Sequence, residues 1–152
     1  RMRTYREPDE YLFPRMAASV AAVQRAGGLI GIGAHGEMPG LGFHWELQAH
    51  TMGGMTPAEA LRAGTIGSAT HIGRSADFGS IEPGKYADLV VLDRDPLKDI
   101  SNSLSIAAVM EGGRLRDGRT LDELWPESRP LPRGWYCDDR PPGARDPCSS
   151  QE

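Results

Sequence analysis

Apolar residues recur at helical spacing from Leu12, at Leu12, Met16, Val20 and Val23, with Ala17, Ala18, Ala21 and Ala22 filling the turns between. This predicts an amphipathic helix with Pro14 in its first turn, where a missing N–H costs little, and Gly27-Gly28 as its stop. Leu29-Ile30-Gly31-Ile32-Gly33 then reads as a short buried strand whose glycines permit close backbone approach. A second helix is predicted from about Phe43 to Met52, stopped by Gly53-Gly54. Thr56-Pro57-Ala58-Glu59 is a capping box: Thr56 is the cap, Pro57 takes the first helical position, and Glu59 reaches back. That third helix runs towards Ala69 and ends at Gly73. After it the period changes to that of strands: Ala87 to Leu92, Ile106 to Met110, and Arg114 to Arg116 behind the turn Glu111-Gly112-Gly113. From Leu121 prolines accumulate, predicting an extended tail that docks locally and then loses order.

The 152 residues suffice for one ordinary domain with a core but fall short of the roughly 250 that a complete (β/α)8 barrel needs. A net charge of −4, with acidic and basic residues interspersed, gives no electrostatic footprint for phosphates, so nucleic acid is not an expected partner. No apolar run is long enough to predict a membrane span. The two cysteines, Cys137 and Cys148, have no metal-ligand spacing and would close only a short tail loop, which leaves the compartment open.

Several motifs invite chemistry and fail on inspection. Gly31 to Gly36 fits G-x-G-x-x-G after a strand, but Pro39-Gly40-Leu41-Gly42 follows where a dinucleotide site needs a helix aimed at the pyrophosphate. Gly79 to Lys85 fits the first seven positions of a phosphate-binding loop. Tyr86 stands in place of the magnesium-binding hydroxyl, and a strand follows in place of a helix. His35-Gly36-Glu37 has the H-x-E of nucleobase deaminases, but Pro147-Cys148 lacks the second cysteine that would complete the metal shell.

Of the histidines, His50 reads as packed or solvated and His71 as a cap or surface residue. His44 shares a helix face with Gln48, and Glu46 with His50. His35 is different, because it follows a buried strand and opens a glycine-rich loop, where an α/β barrel places its chemistry.

Gly79 to Asp93, with the pattern G-x-I-x-x-G-x-x-A-D-L-V-V-L-D, resembles the segment that closes metal-dependent amidohydrolases. The resemblance extends from about Glu10 to Trp125. It is strongest to the imidazolonepropionase-like and prolidase-like branch, including members fused behind a β-propeller, which carry G-A-H-G followed by H-W-E-L. It implies an α/β fold: the C-terminal part of a (β/α)8 TIM-like barrel over residues 1–78, strands of a small returning β-sandwich domain over 79–120, and a Pro-rich tail over 121–152.

The function so implied is hydrolysis of C–N bonds, amide or peptide-like, by water activated on a divalent metal, with zinc expected and most ligands upstream of this piece. The piece alone is then expected to be inactive. Where the family's eighth strand ends in a metal-binding, proton-accepting aspartate, this chain has His35. An imidazole binds zinc through a neutral nitrogen, and an ordinary pKa of about 6.5 suits a general base. It cannot neutralise a divalent ion as a carboxylate does, and Glu37 is the nearest acid that could. His35 is thus expected as base or metal ligand, with Glu37 and His44 on the substrate side. The implied partner is a small-molecule or peptide substrate, with room for a homo-oligomer. The replaced aspartate also permits a second reading, an amidohydrolase-like binding or assembly scaffold that has lost catalysis.

Overall fold

A computed structural model of the chain describes residues 11–35 and 38–132. Glu37, the two cysteines and the proline-rich end of the tail lie outside the described residues.

The first half is helical. Helix α1 spans Leu12–Arg25 and α2 spans Leu41–Met52. Helix α3, Pro57–Arg62, runs through a π turn, Ala63–Gly67, directly into α4, Ser68–His71. The capping box forms as expected: the Glu59 amide donates to Thr56 Oγ1 at 3.2 Å while the Thr56 amide donates to Glu59 Oε2 at 2.7 Å. Three helix ends close in the same way. The Gly27, Gly54 and Gly73 amides donate to Gln24, Thr51 and Thr70, and the following amides reach back to Val23, His50 and Ala69. This is the Schellman pattern, with the glycine in left-handed backbone at each end.

The interior of the helical half differs from the sequence expectation in one respect. In α1 the buried residues are Ala17 and Ala21, whereas Leu12, Met16 and Val23 of the apolar stripe are exposed. The small side chains decide this, because Gly53 at the end of α2 approaches the Ala17 backbone so closely that a Cβ there would have no room. The two helices meet through their smallest residues. The large apolar face of α1 is left facing away.

The second half is a four-stranded antiparallel meander in the order β1-β2-β3-β4, with β1 Leu89–Leu92, β2 Ile106–Glu111, β3 Arg114–Asp117 and β4 Glu123–Trp125. Gly112 and Gly113, both with positive φ, form the two-residue turn between β2 and β3, as the primed hairpin turns require. Strand β4 falls where sequence reasoning expected only a docked tail. Its buried Glu123 accounts for it: Arg129 Nε donates to one carboxylate oxygen at 2.7 Å, and Arg114 Nε lies 3.2 Å from the other in an ion pair that falls short of a hydrogen bond. Burial pushes the Glu123 pKa up, but the Arg129 hydrogen bond and the charges of Arg114, Arg129 and Arg116 outweigh it and hold the carboxyl below its usual value.

A 3₁₀ turn, Ile100–Leu104, links the halves. Leu47 from α2, Ala60 from α3 and Ile100 from this turn form the buried cluster, with Ile32 and Leu61 packed against it.

Candidate functional site

Residues 29–34 belong to no helix, pair in no ladder and are half-buried or exposed, although Leu29 to Gly33 was expected as a short buried strand. The reason is a lack of neighbours. No strand among the described residues lies beside the segment, and two of its amides are taken instead by side chains from helices. The Ile32 amide donates to Ser68 Oγ at 2.9 Å, and the Gly33 amide donates to the Glu46 carboxylate at 3.2 and 3.3 Å.

Two residues beyond Gly33, His35 is exposed and has φ 55°, in the left-handed region. Few non-glycine residues sit there, histidine more readily than most, and such backbone costs of order ~1 kcal/mol and persists where the surroundings impose it.

His44 lies on the first turns of α2, half-buried. Its Nδ1 is 2.9 Å from Oγ of the buried Ser103 in the 3₁₀ turn, and its ring meets Phe43 edge to face at a centroid distance of 5.6 Å. Burial lowers its pKa, so the ring is neutral at neutral pH. His44 therefore pins α2 to the linking turn through one ring nitrogen. His50 is buried nearly two turns further along α2, with Nε2 lacking a hydrogen-bond partner, and His71 is exposed at the end of α4. Of the alternatives left open by the sequence, packed or solvated for His50 and cap or surface for His71, the structure takes the packed one for the first and an exposed position for the second.

Among the described residues no three histidine, cysteine, aspartate or glutamate side chains come together to hold a metal ion. A catalytic zinc takes three protein ligands, so the described residues do not make such a centre by themselves. None of the described helices is long and apolar enough to cross a membrane.

Glu46, Ser68 and Ser103 were not singled out from the sequence. Glu46 had a signal, standing in the H-W-E-L that follows the glycine-rich loop. Ser68 had none, since a serine inside a helical stretch reads as an indifferent helix former.

The sequence pattern of the amidohydrolase family matches residues 32–116, more than half of the chain. The chain belongs to the amidohydrolase family. Within it, the imidazolonepropionase-like and prolidase-like branch is the one indicated. The imidazolonepropionase of Porphyromonas gingivalis strain W83 is 46% identical over 65 residues, covering 41% of this chain and 15% of that protein. Among solved structures, a Xaa-Pro dipeptidase with methionine bound in its active site superposes with a TM-score of 0.61 at 26% identity, over 69% of this chain and 26% of that one. A molinate hydrolase superposes with a TM-score of 0.53 at 35% identity, over 67% and 22%. The chain therefore spans about a seventh of that imidazolonepropionase and about a quarter of the dipeptidase. Such neighbours imply an α/β fold of the TIM-barrel kind.

Proposed function

We propose that these residues are the C-terminal portion of a metal-dependent hydrolase of C–N bonds, amide or peptide-like, and that His35 serves its active site. The observation that carries this is the left-handed backbone of His35 directly after the 29–34 segment. Strained backbone of this sort concentrates where a side chain must be held in one direction for a task. In the family resemblance this is also the position of the metal-binding aspartate at the end of the eighth strand.

On this reading residues 29–33 are the last barrel strand and α1, α3 and α4 its outer helices. The returning strands of a small β-sandwich begin after residue 79 and, with β4, run to Trp125, beyond the boundary at 120, and the tail follows them. The apolar stripe of α1, with Met16 64% and Leu12 65% exposed, is then the face that the rest of the barrel covers. Val90, 58% exposed, and Val91, 48% exposed, on β1 await further strands in the same way.

His35 has two available tasks. As a base it takes a proton from the attacking water, and as a ligand it gives one nitrogen to a divalent ion, zinc by the chemistry of imidazole, whose other ligands lie beyond the described residues. Glu37, beside it in sequence, is the acid proposed to supply the missing negative charge, and His44 a neutral contact for substrate.

The test is His35→Ala in the full-length protein, measuring turnover and bound metal on the same preparations, with a Xaa-Pro dipeptide and imidazolonepropionate as probes. A base predicts turnover reduced by about 10²- to 10⁴-fold with metal content unchanged. A ligand predicts that both fall together, with partial return in His35→Asp. Wild-type turnover and metal in His35→Ala refute the role of His35, and a metal-free full-length protein that binds these compounds without turning them over supports the scaffold reading.

A further inference from the structure

The 29–34 segment that leads to His35 is held by an irregular helix. The π turn Ala63–Gly67 places Gly64, Gly67 and Ser68 together against it. A Cβ on Gly64 would meet Ile32 Cδ1 at 3.1 Å, and one on Gly67 would collide with the Ile30 carbonyl. Ser68 Oγ, the hydrogen-bond acceptor for the Ile32 amide, also lies 2.9 Å from the Ala63 carbonyl and 3.3 Å from the Ile32 carbonyl. The Ser68 amide donates to the same Ala63 carbonyl in the i to i−5 pattern of the π turn. One side chain is thus fixed to the widened turn and to the Ile32 backbone. The Glu46 carboxylate, from α2, takes the next amide, that of Gly33. Two adjacent amides of the segment are thus held by side chains from two different helices.

We infer that Ser68 and Glu46 are positioning residues, presented by the π turn and by α2, which together fix the backbone that delivers His35. Neither needs to touch substrate. A grip of this kind acts on the rate through geometry, since a displacement of about 1 Å at the reacting groups can cost about 10²-fold. A π turn within an otherwise regular helix is a frequent companion of functional sites, and here its local effect is visible: it keeps two glycines and a serine facing one segment. The inference rests on the reading of His35 given above.

The experiment is a double-mutant cycle in the full-length protein, read by hydrogen exchange and by steady-state kinetics on the Xaa-Pro dipeptide or imidazolonepropionate, whichever is hydrolysed. In Ser68→Ala, exchange in the peptide covering residues 29–35 should rise by about tenfold or more. Ser68→Thr, which retains the hydroxyl, should restore most of the protection. Turnover should fall by about tenfold in Ser68→Ala with KM and bound metal unchanged. On a His35→Ala background, Ser68→Ala should have little further effect on turnover, because what it positions is gone. Unchanged exchange in Ser68→Ala overturns the grip. An equal loss of turnover on both backgrounds overturns the positioning role and leaves Ser68 structural. Faster exchange in Ser68→Ala together with wild-type turnover in His35→Ala would show that the grip is real and that the reading of His35 has failed. The same cycle with Glu46→Ala tests the second grip and carries the same outcomes.

Discussion

Replacing Gly67 by alanine should disturb both stability and turnover, whereas the same change three residues earlier should do little. Gly67 is buried in the π turn. A Cβ there would stand well under 3.0 Å from the Ile30 carbonyl oxygen and at 3.0 Å from that of Arg62. Both obstacles are backbone, so relief requires the 29–34 segment to move away by roughly 0.5–1 Å, an overpacking strain of about 1–3 kcal/mol. That movement stretches the 2.9 Å bond from Ile32 to Ser68 past useful length and forfeits about 1 kcal/mol more. Alanine recovers about 1 kcal/mol of helix propensity. The balance is a net loss of about 1–3 kcal/mol. Turnover should fall by up to about 10²-fold, because the displaced segment carries His35. At Gly64 the atoms met are Phe43 Cζ at 3.0 Å and Ile32 Cδ1 at 3.1 Å, ends of side chains that can give way. There strain and propensity nearly cancel. Urea unfolding and steady-state kinetics of the two full-length variants, run in parallel, provide the comparison. If Gly67→Ala proves as stable and as active as Gly64→Ala, the close packing of the segment on the π turn is not what holds it.

Thr56→Ala should cost about 1 kcal/mol by removing the capping box, measured by thermal unfolding of the full-length protein. The Thr56 backbone and side chain hold the Glu59 carboxyl below its usual pKa of 4.5, so that stabilisation is complete above pH 4.5 and is lost as the pH falls through the lower folded value; the gap between wild type and variant should narrow there. Burial depresses the His44 pKa below 6.5, so the unfolded chain takes up its proton first as pH falls. Stability should therefore be full above about pH 6.5 and decline below it, with a shallower decline in His44→Gln when urea midpoints are compared from pH 8 to 5.5. The isolated 152 residues should unfold without a sharp transition and bind a hydrophobic dye, because the face carrying Leu12, Met16 and Val23 is uncovered; a cooperative thermal transition of the monomeric piece would contradict this.

What was legible in the sequence follows the range of the interactions concerned. The Thr56 cap, the Gly27, Gly54 and Gly73 stops and the Gly112-Gly113 hairpin each depend on residues within about six positions, and each forms as the sequence predicts. The π turn does not announce itself locally, since Ala63 to Gly67 would continue an ordinary helix; it is explained by the Ile30 and Ile32 backbone lying against it, more than thirty residues away in sequence. Strand β4 likewise depends on Arg114 and Arg129 meeting one carboxylate, and the outward turn of the α1 stripe depends on Gly53. The candidate site combines both kinds. His35 could be singled out because its place at the end of an apolar run is a local fact. The groups that hold its segment could not, because free backbone amides bond to whatever lies beside them, and here those are a glutamate and a serine on two different helices. A candidate site residue is thus visible in the local sequence before the groups proposed to aim it, and those groups must be sought from the backbone amides outward.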